Sequence, residues 1–139
     1  MKLKAKIVCL LLLLAAPYAQ AADMDLSENL FPPELIMEHQ QELKLTEEQK
    51  SFLKAEVRKT QTLLTEMQWK LEDEVEKVAG MLKPDRLDEQ AVTAQLDKVL
   101  GLERDIKRAQ MAFLIRLKNN LTPEQQKLLR ELRNKPPAK

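Results

Sequence analysis

Hydrophobic residues recur at alternating intervals of four and three along two long stretches of the chain. The first series consists of Leu53, Val57, Thr60, Leu64, Met67 and Leu71, followed after one irregular step by Val75, Val78 and Leu82. The second consists of Val92, Leu96, Val99, Glu103, Ile106, Gln110, Phe113 and Leu117. This spacing places side chains along one face of an α-helix. The pattern predicts two long helices, each with one apolar face.

The motif Leu-Thr-x-x-Gln occurs twice and predicts where two helices begin. Its members are Leu45, Thr46 and Gln49 in one copy and Leu121, Thr122 and Gln125 in the other. Threonine at the N-cap and glutamine three residues later form a capping box, in which each side chain satisfies a backbone N–H of the other. Helices should therefore begin at Glu47 and at Pro123, a favourable residue for the first helical position. Asp88 is a third candidate cap, and Pro32-Pro33 opens a short helix that we expect to reach about Glu42.

The link between the two long helices predicts their arrangement. Only four or five residues around Pro84 separate them, so they must fold back on each other as an antiparallel hairpin. Two glycines in 139 residues are too few for the tight turns of a β-rich fold. We expect an all-α protein, a long antiparallel helical hairpin with short first and fourth helices, in a domain covering residues 32–134 with a basic tail at 135–139.

Two polar residues interrupt the second apolar series. Glu103 and Gln110 occupy successive positions where aliphatic residues are expected. Polar groups buried between helices fix register and pairing at a cost in stability. Either these residues have that role, or this face of the helix turns toward solvent.

The N-terminus has the pattern of an export signal. Three lysines precede an unbroken apolar run over residues 7–16, and Ala19-Gln20-Ala21 has the form of a signal-peptidase site. A run of ten is too short to span a bilayer, so no stable membrane insertion is expected. We expect residues 1–21 to be removed after Ala21 in the periplasm, followed by a flexible segment at 22–31. Removal also takes away Cys9, the only thiol.

The charge balance excludes one class of function and leaves another open. Without the three lysines of the signal, 20 basic and 22 acidic side chains remain, which is not the balance of a nucleic-acid-binding protein. Residues 22–50 carry six more acids than bases, and residues 101–139 carry six more bases than acids. Either the two ends neutralise each other, within a monomer or across a dimer, or the basic end contacts an anionic partner.

Apolar residues point in more directions than one hairpin can cover. Those outside the two series are Phe52, Leu63, Trp69, Leu100, Leu102, Ala109, Leu114 and Ile115. We therefore expect a homodimer that leaves an exposed apolar strip as a binding surface. The alternative is a compact monomeric four-helix bundle, for which the helices are unusually unequal in length.

The two Leu-Thr-x-x-Gln motifs, with the segment Pro32-Pro33-Glu34-Leu35-Ile36-Met37-Glu38-His39-Gln40 ahead of the first, carry a family resemblance. An exported all-helical chain with this pair of motifs resembles the Spy and CpxP periplasmic chaperones. Relatives of that family are the zinc-resistance-associated protein and the CnrX-type heavy-metal sensors. The resemblance implies a cradle-shaped antiparallel dimer that binds unfolding proteins or tunes an envelope stress or metal response. Capping alone accounts for the motif residues, so they mark the family and not a site.

Chaperone-like binding of unfolded or misfolded envelope proteins is the first functional hypothesis. A surface for many clients needs deformable apolar groups beside charges. The candidate client-binding residues are Arg58, Met67, Arg104, Arg108, Met111, Leu114, Ile115 and Arg116. The simpler interpretation is that the methionines fill the core and the arginines lie on a solvated face.

Metal sensing, with a membrane-bound sensor or anti-sigma factor as partner, is the alternative. In CnrX-like sensors two histidines one turn apart bind metal together with a Glu, a third His and a Met. Here His39 is the only histidine, and the positions four before and four after it are Leu35 and Leu43. A reduced site for zinc, nickel, cobalt or copper would combine His39, Glu42, Glu56 and Met111. Such a site would be weak, because tight zinc sites use three or four N or S ligands.

Enzymatic activity is not expected. The mature chain has no thiol, its one histidine has no nucleophile signature nearby, and no Gly-rich phosphate loop is present. No cofactor is therefore required.

Overall fold

Residues 28–136 are described by the computed structural model, and they form four helices. These are α1 (Pro33–Glu38), α2 (Glu47–Met81), α3 (Glu89–Asn119) and α4 (Pro123–Arg133). The long helices α2 and α3 pack against each other and are joined by residues 82–88. Within the described range no residue lies in a β-strand. The predicted all-α hairpin with short first and fourth helices is confirmed. The predicted signal segment 1–21 and most of the predicted flexible segment 22–31 lie outside the described residues.

The predicted helix starts are confirmed by their caps. Thr46 Oγ1 accepts the Gln49 N–H at 3.1 Å, and Gln49 Oε1 accepts the Thr46 N–H at 3.0 Å. The second box repeats this between Thr122 and Gln125 at 3.1 and 2.9 Å. The Asp88 carboxylate accepts a backbone N–H of the first turn of α3 at 3.1 Å. These boundaries are set by local side-chain chemistry, which explains why the sequence alone locates them.

The first helix is shorter than predicted and ends at Glu38, not near Glu42. The backbone leaves helical geometry at His39, whose φ and ψ are −104° and 20°. As a result the Gln40 N–H bonds to Met37 O, three residues back, and only turns follow up to Lys44.

A Schellman motif closes these turns and redirects the chain into α2. The Leu45 N–H bonds to Gln40 O at 3.2 Å, and the Lys44 N–H bonds to Gln41 O at 3.1 Å. Lys44 is the C′ residue and has a φ of 51°. This reversal lets both Leu43 and Leu45 enter the core, whereas a continuous helix would point them about 200° apart.

Lys44 has a left-handed backbone conformation that its side chain disfavours. Replacing Lys44 by glycine is expected to raise the free energy of unfolding by about 0.5–1 kcal/mol, since glycine adopts this conformation without a Cβ clash. Urea unfolding followed by circular dichroism measures the change. As a control, the same replacement at Lys54, which lies within α2, should destabilise the protein by about 1 kcal/mol. Equal losses at both positions would contradict the left-handed cap.

The hydrophobic core lies at one end of the hairpin, which we call the base. There α1 and α4 pack against the start of α2 and the end of α3. The buried cluster consists of Phe31, Ile36, Leu43, Leu45, Leu53, Leu117, Leu121 and Leu129. The opposite end, at residues 82–88, is called the tip, and its Leu82 and Leu87 are about half exposed.

Arg133, at the end of α4, ties the segment preceding α1 to the base. Its guanidinium donates to Leu30 O at 3.2 Å and to Glu28 O at 2.5 Å. The same group lies 5.5 Å from the centre of the Phe31 ring. The contact between cation and ring helps to hold Phe31 in the core, where its side chain is fully buried.

The predicted contact face of α2 is buried or half-buried from Leu53 to Val78, but its last member, Leu82, lies beyond the helix and is half exposed. The predicted face of α3 is partly wrong. The residues of α3 that face α2 and are buried or half-buried are Gln95, Val99, Leu102, Ile106, Ala109, Phe113 and Leu117. Leu96, Glu103 and Gln110, which were expected there, are exposed. The true positions recur about every 3.6 residues, and a series spaced at 3.5 drifts by about 20° in each heptad of a straight helix. Glu103 and Gln110 therefore face solvent and do not fix the register between the helices.

Candidate functional site

The two capping glutamines bond directly to each other across the base. Gln49 Nε2 donates to Gln125 Oε1 at 2.7 Å, and Gln125 Nε2 donates to Gln49 Oε1 at 3.1 Å. Each amide oxygen also accepts the backbone N–H of its own N-cap threonine. The glutamines thus form a reciprocal amide pair that joins the first turn of α2 to the first turn of α4.

The remaining amide hydrogens of the pair reach the backbone of neighbouring segments. Gln49 Nε2 donates to Asn120 O at 2.8 Å, and Gln125 Nε2 donates to Leu43 O at 3.1 Å. The pair therefore ties the turns after α1 and the C-cap of α3 to the starts of α2 and α4. Because both amides are fully hydrogen-bonded, the pair is a structural connection and offers no vacant group to a ligand.

The sequence predicted the capping role of these glutamines but missed the pair. The sequence does contain a signal for the amide pair, because both motifs place glutamine at N3. A hairpin also brings the start of α2 close to the end of α3, and α4 begins just after that end. Only the tertiary arrangement makes the two N3 side chains meet.

An ion pair joins α2 and α3 about two turns along α2 from Gln49. Arg116 Nε lies 2.6 Å from Glu56 Oε2, and the Glu56 side chain is 12 % exposed. Because these side chains bond to each other, Glu56 is not free to act as a metal ligand and Arg116 is not free to contact a client. Its position also marks one side of the hairpin, which we call the ion-pair face.

The four candidate metal ligands are not brought together. His39 Nδ1 lies 3.5 Å from Glu42 Oε1, at the edge of an ion-pair contact. The pKa of Glu42 is lowered, first by a hydrogen bond from its own backbone and then by His39. Glu56 is held by Arg116, and Met111 lies about 140° around α3 from Arg116. Across residues 28–136, no three His, Cys, Asp or Glu side chains are grouped to hold a metal ion.

The candidate client-binding residues fall on different sides of the hairpin. Met67 lies 11 residues after Glu56, so helical periodicity places it at the edge of the α2 contact face that borders the ion-pair face. Leu63, which was predicted only as an uncovered apolar residue, lies 7 residues after Glu56 on the ion-pair face. Arg108 lies two turns before Arg116, toward the same side of α3. The other candidates, Arg58, Arg104, Met111, Leu114 and Ile115, point away from this face by the same periodicity.

Large apolar side chains remain exposed along the hairpin. Leu63 is 44 % exposed, Trp69 64 % and Leu100 50 %. Lys107 and Arg108 on α3 have no ion-pair partner among the described residues. Helical periodicity places Leu63 on the ion-pair face, Leu100 on the outer side of α3 and Trp69 on the side of α2 that points away from α3. The single chain thus leaves apolar groups exposed on several sides, as the sequence predicted.

A second polar contact joins the long helices near the tip. Gln95 is buried and donates to the Glu74 backbone oxygen at 3.2 Å and to the Glu74 carboxylate. Lys77 donates to the same carboxylate at 2.6 Å. Hydrogen bonds from Lys77 and then from Gln95 lower the pKa of Glu74, which keeps this carboxylate ionised at neutral pH.

Comparison of the chain with family models, with curated proteins and with solved structures gives no match. No helix within residues 28–136 combines the length and apolar character needed to cross a membrane.

Proposed function

We propose that the protein is a periplasmic binding protein of the Spy and CpxP type, which acts as a homodimer and holds unfolding proteins by non-covalent contacts. The observation that carries the proposal is the ion-pair face, where exposed Leu63 and half-buried Met67 lie on the same side of the hairpin as unpaired Arg108. Unfolding chains present apolar and charged segments without fixed geometry. Flexible apolar groups beside a cation suit such segments better than a shaped pocket does.

The position of the core supports the same proposal. The amide pair and the buried cluster lie at the base, whereas Leu63 and Met67 lie outside this cluster. Client contacts at these residues would leave the core intact. Export, which the N-terminal residues 1–21 predict, would place this surface in the periplasm.

Suppression of aggregation tests the proposal. The mature chain, residues 22–139, should reduce light scattering by a thermally unfolding test protein at near-stoichiometric ratios. The double variant Leu63→Gln, Met67→Gln should lose most of this effect, because it removes the two apolar groups on and at the edge of the ion-pair face. A matched control is Leu82→Gln at the tip, which is also half exposed and should retain activity.

Metal titration separates this function from metal sensing. Calorimetry of the metal-free mature chain with zinc, nickel, cobalt or copper should show no stoichiometric metal binding that depends on His39. The His39→Ala variant should suppress aggregation as well as the wild type does. Stoichiometric binding lost in His39→Ala, together with no suppression of aggregation by the wild type, would contradict the proposal and support a sensor.

A further inference from the structure

Six residues of α3 form a second stripe outside its contact with α2. The outer stripe consists of Leu96, Leu100, Glu103, Lys107, Met111 and Leu114. At 100° per residue these side chains fall within an arc of about 80°, centred about 120° from the residues that face α2. Leu96 is 39 % exposed, Glu103 and Lys107 are exposed, and Met111 and Leu114 are half-buried. The stripe is thus exposed over Leu96, Leu100, Glu103 and Lys107 and partly covered at its end near the base.

The order of residue types along the outer stripe is self-complementary. Two apolar residues are followed by an acid, a base and two more apolar residues. When a second copy of α3 lies antiparallel beside the first, Leu96 faces Leu114, Leu100 lies beside Met111, and Glu103 faces Lys107. The last pairing occurs twice, once on each side of the two-fold axis. A parallel arrangement would instead place Glu103 opposite Glu103.

Glu103 and Lys107 are available for such pairing. Neither side chain makes an ion pair or a hydrogen bond within residues 28–136. The facing segments span about 19 residues, or about 28 Å of helix. A contact of this size is smaller than a typical obligate interface, so it suits a reversible dimer.

We infer that the outer stripe is the contact surface of the homodimer, with the two α3 helices antiparallel between the two α2 helices. The inference rests on the proposed function for the existence of an antiparallel dimer, and it adds the face and the register. It assigns Met111 and Leu114 to self-association and leaves Leu63, Met67 and Arg108 for clients.

Charge reversal tests the inference. Sedimentation equilibrium of the mature chain should show a dimer, and Glu103→Lys or Lys107→Glu alone should raise its Kd by about tenfold or more, because each variant sets like charges opposite each other twice. The double variant Glu103→Lys, Lys107→Glu should dimerise within about threefold of the wild type. An equimolar mixture of the two single variants should also form dimers, because the heterodimer restores both attractive pairs. Glu66→Lys and Lys59→Glu, at exposed positions on α2, serve as controls that should leave the Kd unchanged.

Two results would overturn the inference: a monomeric wild-type chain at high micromolar concentration, or single variants that dimerise as tightly as the wild type. The variants also separate this inference from the proposed function. Monomeric variants of a dimeric wild type confirm the interface whether or not they suppress aggregation. A dimer with the expected charge dependence that never suppresses aggregation would leave the interface standing and contradict the chaperone function.

Discussion

Replacing Leu129 by alanine is expected to lower the free energy of unfolding by about 2–5 kcal/mol. The Leu129 side chain is fully buried in the base, where it belongs to the cluster that includes Phe31, Ile36 and Leu117. Its truncation removes apolar burial and leaves a cavity that long helices cannot close by a small shift. Since this cluster is what joins α1 and α4 to the hairpin, the loss should appear in thermal and urea unfolding monitored by circular dichroism.

Leu82→Ala is the matched control for this prediction. It deletes the same atoms at the tip, from a side chain that is 50 % exposed, and should cost less than about 1 kcal/mol. Similar losses for Leu129→Ala and Leu82→Ala would show that the buried cluster at the base does not dominate the stability of the chain.

Replacing Gln125 by leucine is expected to cost about 2–3 kcal/mol, more than the loss of a helix cap alone. The change removes the bond to the Thr122 N–H, both bonds to Gln49 and the bond to Leu43 O. It also leaves partly buried polar atoms of Gln49 and Leu43 without their partner, which adds to the penalty. Thr122→Ala removes only the cap and should cost about 1 kcal/mol in the same unfolding experiment.

A double-mutant cycle isolates the amide pair from the two caps. Gln49→Leu and Gln125→Leu should show a coupling energy of about 1 kcal/mol or more, because the two side chains bond to each other. If their effects add to within about 0.5 kcal/mol, the two glutamines act only as separate caps and the pair does not stabilise the base.

The sequence predicted the features that depend on residues within one or two helical turns of each other. The capping boxes at Thr46 and Thr122 and the cap at Asp88 involve residues three apart, so their partners are visible in the sequence. The apolar face of α2 was also predicted correctly as far as Val78. The α3 face was extrapolated at a spacing of 3.5 residues, and over three heptads the error of about 60° was enough to exchange Gln95 for Leu96 and Leu102 for Glu103.

The candidate site depended on contacts between distant positions, which periodicity cannot supply. Glu56 looked available for metal because nothing near it in the sequence engages it, yet it pairs with Arg116, 60 residues away. The Gln49–Gln125 pair, separated by 76 residues, was missed for the same reason. Exposed apolar residues were predicted from an excess of apolar directions, but their distribution over several sides of the hairpin required the structure.

Because the core lies at one end, the hairpin is fixed at its base and has a free tip. The base is clamped by four helices, whereas the tip is held only by the pairing of α2 with α3, about 45 Å further along the helix axes. The free energy of local opening is therefore expected to fall from the base toward the tip. The hairpin should therefore open first near residues 82–88, while the base stays folded.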